Sequence, residues 1–297
     1  AIVGHISLAM VYLERFGSAD IKERYLPKSC SGEWFGCLGV TEPYAGSDVA
    51  GIKTTAVADG DNYILNGSKT FITNGVLSDF LIIAAKTNPE MKSAGITLFV
   101  LDRSMPGISA SKLDKLGWRA SDTAEISIQD VRVPAKNIIG DEGMGFYYIM
   151  QNFALERLIL AIGAITASET AMSYTIKYMS ERKAFGRTIN KFQVLRHRMT
   201  QLASEITMLK TFNNTISVAF NEGKNVVKEC AMAKLLCTEL SDKVMTECLQ
   251  CFGGYGYMED YKMARMFRDS RLGTIGGGTS EIMRELISKM VVDDVSY

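Results

Sequence analysis

The chain has 297 residues, 47% apolar and 22% charged, and its 33 basic and 33 acidic side chains cancel at neutral pH. Such a length buries large cores and suggests roughly two domains. No basic stripe or polybasic patch is present, which speaks against nucleic acid or a membrane surface as partner.

Residues 1–27 read as one helix, a polar break at Gly17-Ser18-Ala19-Asp20, and a short second helix ending before Pro27. The opening lacks a basic n-region and carries Glu14 and Arg15, so it reads as a helix end rather than a signal peptide. From 33 to 134 the pattern switches to strands. ILNGSKTFITNG, DFLIIAAKT, GITLFVLD and TAEISIQDVRVP are rich in β-branched and aromatic residues, and turn pairs such as Asp59-Gly60, Asn74-Gly75 and Pro106-Gly107 separate them. Strands without intervening helices predict an antiparallel sandwich or barrel rather than a parallel sheet.

After Asn137 the spacing is helical to the end. Gly143–Arg182, Lys191–Asn221, Val226–Cys251 and Thr279–Val291 each carry an apolar stripe, the pattern of an antiparallel bundle. No run reaches the ~18 uncharged apolar residues of a membrane span. Cys248 and Cys251 form a CxxC, but no second one follows, and the histidines are His5 and His197. Cys230, Ala233, Cys237, Leu240, Val244, Cys248 and Cys251 instead follow steps of three and four along one helix face. Core thiols in a reduced, intracellular protein are expected, and no metal site.

Three stretches can carry chemistry. VTEPYAGSD, 40–48, leaves a strand with hydroxyls and free N–H groups that suit a polar ligand, or it is an ordinary turn. It is neither a Walker loop nor GxGxxG. FALERLILAIGAI places Glu156 and Arg157 in an apolar helical run; the carboxylate is either half of a structural ion pair or a base tuned by burial. ERKAFGRTINKFQ, 181–193, reads as a helix-turn-helix with positive charge at a helix C-terminus.

VTEPYAGSD, NGSKTFITNG, LERLILA, ERKAFG, QCFGGYGY and GGGTSEIMREL stand in an order and spacing that resembles the acyl-CoA dehydrogenase flavoprotein family along the whole chain. KLDKLGWRASDT and LERLILA resemble its isovaleryl-CoA and long-chain branches, and TSE with QCFGG lean toward the isovaleryl branch. The resemblance implies a multi-domain α+β fold: residual N-terminal helices (1–30, most of that domain absent), a central antiparallel β domain (31–135) and a C-terminal antiparallel helical bundle (136–297). It also implies FAD as cofactor, an acyl-CoA substrate oxidised to the trans-2-enoyl-CoA, an electron-transferring flavoprotein as acceptor, and a homotetramer. The location would be cytoplasmic in a bacterium and the mitochondrial matrix in a eukaryote.

Carried over by motif, Leu38, Val40, Thr41 and Ser47 would line the flavin, with Thr41 bonded to its ring system. Phe71, Ile72 and Thr73 match the family's aromatic-Ile-Thr/Ser, with Thr73 near N5. Arg182, Phe185 and Gln193 match residues that hold FAD across a subunit boundary, and Gln250, Cys251, Phe252, Gly253, Gly254, Thr279, Ser280 and Glu281 match further FAD contacts. Ser47, Tyr147, Ala154, Leu155, Arg157, Gly277 and Gly278 would meet the acyl-CoA. Many members carry the catalytic Glu at the position of Gly277; the isovaleryl and long-chain branches carry it in a helix pair matching Glu156-Arg157. Glu156 would then be the base, with its pKa raised by Phe153, Leu155, Leu158 and the acyl chain, while the Gly277 N–H polarises the thioester carbonyl. Gly276 and Gly277 suggest extra room at that loop. An acyl-CoA oxidase, a flavoprotein lyase or a non-catalytic acyl-CoA-binding relative would share the same FAD residues.

Overall fold

The computed structural model describes residues 2–293; Ala1 and 294–297, the outer ends of the first and last expected domains, lie outside the described residues. The chain divides into two compact units, one of residues up to Lys115 with Arg119–Asn152, the other of Leu116–Trp118 with everything from Phe153.

The first unit opens with α1 (Ile2–Gly4), a π-helical stretch (His5–Met10), α2 (Val11–Phe16) and α3 (Ala19–Ser31). Ser18 caps α3 by accepting from the Ile21 N–H at 3.3 Å. Contrary to expectation, α3 does not stop before Pro27 but runs through it to Gly32, whose φ of 76° ends the helix. The proline costs α3 one main-chain donor, and a C-terminal left-handed glycine is the stronger stop.

An eight-stranded sheet follows: β1 (Gly36–Gly39), β2 (Thr55–Asp59), β3 (Asn62–Thr73), β4 (Phe80–Lys86), β5 (Ile96–Asp102), β6 (Ile108–Lys112), β7 (Thr123–Pro134) and β8 (Ile138–Ile139). The order is β6-β7-β3-β2-β4-β5-β8, with β1 beside β4. The sheet is mixed rather than wholly antiparallel: β1 pairs parallel with β4, and Thr55 of β2 meets Lys86 in the same sense. Between β1 and β4 the chain runs through β2 and β3, a connection long enough for the parallel pairing that a tight hairpin cannot make. β4 and β5 are buried over six of their seven residues each, so their apolar runs are continuous. β7 alternates instead, with Ala124, Ile126 and Ile128 inward. Tyr25 of α3 donates to Asp102 at 2.7 Å, and the Gly36 N–H donates to His5 Nδ1 at 2.9 Å, tying helices to sheet within this unit.

The helix α4 (Gly145–Glu181) passes from the first unit into the second. Its 37 residues include a window of mean hydropathy 1.3, long and apolar enough by length and composition to cross a membrane, although Glu156 and Arg157 interrupt the apolar run and 44% of the window is buried. In the second unit its Leu158, Ala161, Ile165 and Met172 share a core with α5 (Gln193–Asn221) and α6 (Val227–Cys251). Cys230, Cys237, Cys248 and Cys251 lie in that core as free thiols, on the face their spacing foretold. Two short elements went unread, α7 (Lys262–Ser270) and a two-stranded hairpin, β9 (Lys183–Ala184) with β10 (Arg187–Thr188). The hairpin replaces the expected plain helix-turn-helix; Phe185 and Gly186, at φ 50° and 76°, make its turn. Then α8 (Ser280–Ser288) follows the triple glycine.

Candidate active site

In the first unit the loop after β1 is clamped onto β3 by a buried ion pair. Glu42 and Lys69 are 5% and 0% exposed, with Nζ to Oε1 at 2.6 Å. The same carboxylate accepts from the Lys53 N–H at 2.5 Å, the Thr54 N–H at 3.0 Å and Thr54 Oγ1 at 2.5 Å. Lys69 also donates to the Val40 carbonyl, and the Thr70 N–H donates to the Thr41 carbonyl at 2.9 Å. Burial alone would raise the Glu42 carboxyl, but the Lys69 charge and these hydrogen bonds hold it below its usual range. Burial pushes Lys69 down to about 8 against the pull of Glu42. The clamp brings Val40 and Thr41 to the strand that carries Phe71, Ile72 and Thr73.

That strand is bulged there. Lys69 faces Ile126 and Ile72 faces Ala124, so Thr70 and Phe71 stand opposite Glu125 alone. Phe71 takes a φ of 60° and leaves its ring 70% exposed, while Ile72 is buried in the sheet core. A bulky side chain held left-handed and out of the core stores strain that packing does not repay. Ser47 and Tyr147 are also exposed, and Leu38 is half-buried.

In the second unit, α4 presents Ala154, Glu156, Arg157 and Leu158, all at most 8% exposed, with Leu155 half-buried. Arg157 stacks over the Phe153 ring at 5.4 Å, and burial lowers its guanidinium against the opposing pull of Glu156. Gly277 and Gly278 have φ of 65° and 94°, a left-handed pair that glycine adopts without a Cβ clash. The Gly276 N–H donates to the Leu272 carbonyl at 2.8 Å. Among the described residues the Gly277 N–H has no acceptor. A Cβ at Gly277 would stand 2.5 Å from Leu160 Cδ1, on α4 one turn beyond Glu156. The tip of the Leu160 side chain would have to move for any side chain to stand at Gly277. At Gly276 the nearest atoms lie at 3.6 Å.

Thr279 caps α8 by accepting from the Ile282 N–H at 3.3 Å. Ser280 is 6% exposed, and its hydroxyl has no partner among the described residues. Glu281 is exposed, its carboxyl held below the usual range by its own N–H and by Thr279. Elsewhere in this unit a cleft of about 460 Å³ is lined by Arg182, Cys251, Phe252, Gly253 and Gly254, together with Tyr178 and Tyr255. Of the expected cofactor residues, Phe185, Gln193, Gln250, Thr279, Ser280 and Glu281 do not line it. Phe185 is 94% exposed and meets the Phe192 ring edge-on, with ring centroids 6.2 Å apart at 81°.

These features suit a large ligand with phosphate and ring components. Nothing lies within 4 Å of where a Cβ would stand on Gly253 or Gly254, so a ligand can approach their backbone. The orphan Ser280 hydroxyl sits in the first turn of α8, where N–H groups and the helix dipole favour an anion. Two family models match the chain, "Acyl-CoA dehydrogenase, middle domain" over 37–131 and "Acyl-CoA dehydrogenase, C-terminal domain" over 143–292. The chain belongs to the acyl-CoA dehydrogenase family. Members are FAD-dependent oxidoreductases acting on CH–CH bonds. "Long-chain specific acyl-CoA dehydrogenase, mitochondrial" of Sus scrofa is 42% identical over 294 residues, 98% of this chain and 68% of that protein. "Isovaleryl-CoA dehydrogenase, mitochondrial" of Pongo abelii is 42% identical over 288 residues, 96% of this chain and 68% of its own length. The crystal structure of an acyl-CoA dehydrogenase from Geobacillus kaustophilus superposes with a TM-score of 0.96 at 43% identity, covering 98% of this chain and 78% of that one.

The Glu42–Lys69 pair, Leu160 and Lys234 stand at the site without belonging to the residues expected there. Two of these had a signal. Lys69 lies two strand repeats after the buried Leu65, and Lys234 lies four residues after Cys230 on the helix face already read as core.

Proposed function

We propose that this chain converts a saturated acyl-CoA to its trans-2-enoyl-CoA, with Glu156 as base and an electron-transferring flavoprotein as electron acceptor. The observation that carries the reading is the loop at Gly277. Its N–H is unpartnered among the described residues, it lies against the end of Leu160, a turn from Glu156, and its φ of 65° disfavours any side chain of its own. Base and oxyanion donor are thus separate groups on adjoining elements.

Thioester α-protons are too weakly acidic for an ordinary carboxylate, so the carbonyl must be polarised as the proton leaves. The Gly277 N–H donates to the thioester oxygen, and Glu156 takes the Cα proton. Ala154, Leu155, Arg157 and Gly278, and in the first unit Ser47 and Tyr147, are the positions that family resemblance assigns to the acyl-CoA. Bound FAD supplies the acceptor for the hydride that leaves Cβ. Thr41 and Thr73 hold its ring system, Phe71 covers one face of it, and Leu38, Val40 and Ile72 shape the surround. Arg182, Phe185, Gln193, the stretch from Gln250 through Cys251, Phe252 and Gly253 to Gly254, and Thr279, Ser280 and Glu281 hold its phosphates and adenine. Phe185 and Gln193 lie outside the Arg182 cleft, which supports a site completed by a second subunit; the homotetramer is what family resemblance implies. Mitochondrial relatives support the matrix for a eukaryotic source, and the cytoplasm follows for a bacterial one.

Anaerobic titration of the FAD-loaded protein with a panel of saturated acyl-CoAs, short branched and long straight, tests this. Bleaching of the flavin by at least one of them is expected, with electrons passing to an electron-transferring flavoprotein. Rapid peroxide formation in air would instead make it an oxidase, and no bleaching by any saturated acyl-CoA would refute a dehydrogenase.

A further inference from the structure

A buried lysine stands behind the loop at Gly277. Lys234, on α6, is 0% exposed, and its Nζ donates to the Gly278 carbonyl at 2.5 Å. Among the described residues it has no carboxylate within ion-pair distance. Its neighbours of note are cationic or distant: Arg157 opposes its charge, and Glu239 and Glu281 support it only through space. A desolvated ammonium without a counter-ion is costly, and replacing it by an apolar side chain would usually be tolerated or favourable for folding alone. Structure by itself gives no reason to place a lysine there.

The loop does give one. Two successive glycines with positive φ form a turn that can take many shapes. Its upstream end is tied by the Gly276 N–H to Leu272, its downstream end by the Thr279 cap. Between them the Lys234 bond to the Gly278 carbonyl is the side-chain tie from outside the loop. It fixes one peptide plane of the turn whose N–H at Gly277 is left free to donate.

We propose that Lys234 is a positioning residue for the Gly277 donor, holding the Gly277–Gly278 turn so that its N–H meets the thioester oxygen as enolate charge develops. The inference rests on the reading of Gly277 as the oxyanion donor. It does not depend on Glu156 being the base.

The test uses FAD-loaded full chain and Lys234→Met, close in length and shape but without charge or donor. The probe is a 3-oxoacyl-CoA, whose C2 proton is acidic enough for its enolate to be titrated by ultraviolet absorbance on the enzyme. Wild type should lower that ligand's pKa relative to free solution. Lys234→Met should weaken the effect on the order of 10-fold to 100-fold and slow flavin reduction comparably, with FAD content retained and half-saturation little changed. Lys234→Arg should recover part of the loss, because it restores a charged donor. Glu156→Gln should keep the enolate stabilisation while losing turnover, which separates the two roles. A folded Lys234→Met that ionises the probe as wild type does would overturn the proposal, and so would failure of wild type to perturb the probe, which would also remove Gly277 as donor. Should Lys234→Met not fold, Lys234→Leu, likewise apolar and without a donor, takes its place under the same two outcomes.

Discussion

At the scale of single residues, the two fully buried lysines play opposite parts. Lys69 is paired, and the pair holds a loop; Lys234 is unpaired among the described residues and holds a turn. Removing one member of a buried pair leaves the other charge uncompensated, so Lys69→Met should destabilise by about 3–5 kcal/mol in a denaturant titration. The double variant Lys69→Met with Glu42→Gln should recover part of that loss. The pH dependence has a definite sign. Glu42 is held below its ordinary value in the folded chain, so its contribution is complete above the unfolded value of ~4.3 and disappears as pH falls through the folded one. Lys69 titrates near 8 when folded against ~10.4 unfolded, so its burial cost is complete below 8 and eases as pH rises above it. Denaturation midpoints should fall on acidification below about pH 5 in wild type and more shallowly in the double variant. Gly277→Ala should slow turnover by forcing both a strained φ and movement of Leu160, and Leu160→Ala in the same chain should relieve only the second.

At the scale of elements, the functional segments are irregular places in otherwise regular structure. The bulge at Thr70 and Phe71 interrupts β3, the hairpin at 183–188 interrupts two long helices, and the paired glycines precede α8. Phe71→Gly should leave stability within about 1 kcal/mol, because the lost ring is mostly exposed and the φ of 60° becomes unstrained. The same change should loosen FAD, measured as faster release of flavin fluorescence. An unchanged release rate would remove Phe71 from the flavin site. Thr279→Ala should cost about 1 kcal/mol through the lost cap. These irregularities also mark how far sequence could be read. Long apolar periodicities placed α4, α5, α6 and the main strands within a few residues, because burial dictates them. The parallel pairing of β1 with β4 was illegible, since four residues, GCLG, carry no directional signal. Pro27 misled because a local rule lost to the packing of Ile21, Tyr25 and Ser29, which keep α3 in place. Site residues were legible only through motif resemblance; a lone Glu-Arg in an apolar run has two physical readings, and sequence left both open.

At the scale of the whole molecule, the residues assigned to FAD fall into separate groups. One belongs to the sheet unit and two to the helical unit, the Arg182 cleft and the α8 N-terminus. A site completed by a second subunit should make flavin retention depend on protein concentration, and sedimentation should show FAD loss and dissociation together on dilution. The central claim is narrower, that Glu156 removes the α-proton while Gly277 supplies a backbone donor. Its most direct measurement is the stopped-flow rate of flavin reduction by a saturated acyl-CoA that wild type oxidises, comparing wild type with Glu156→Gln at equal FAD content. The account predicts a loss on the order of 10²–10⁴-fold, the range of a lost general base. Reduction of the variant's flavin at the wild-type rate would contradict it.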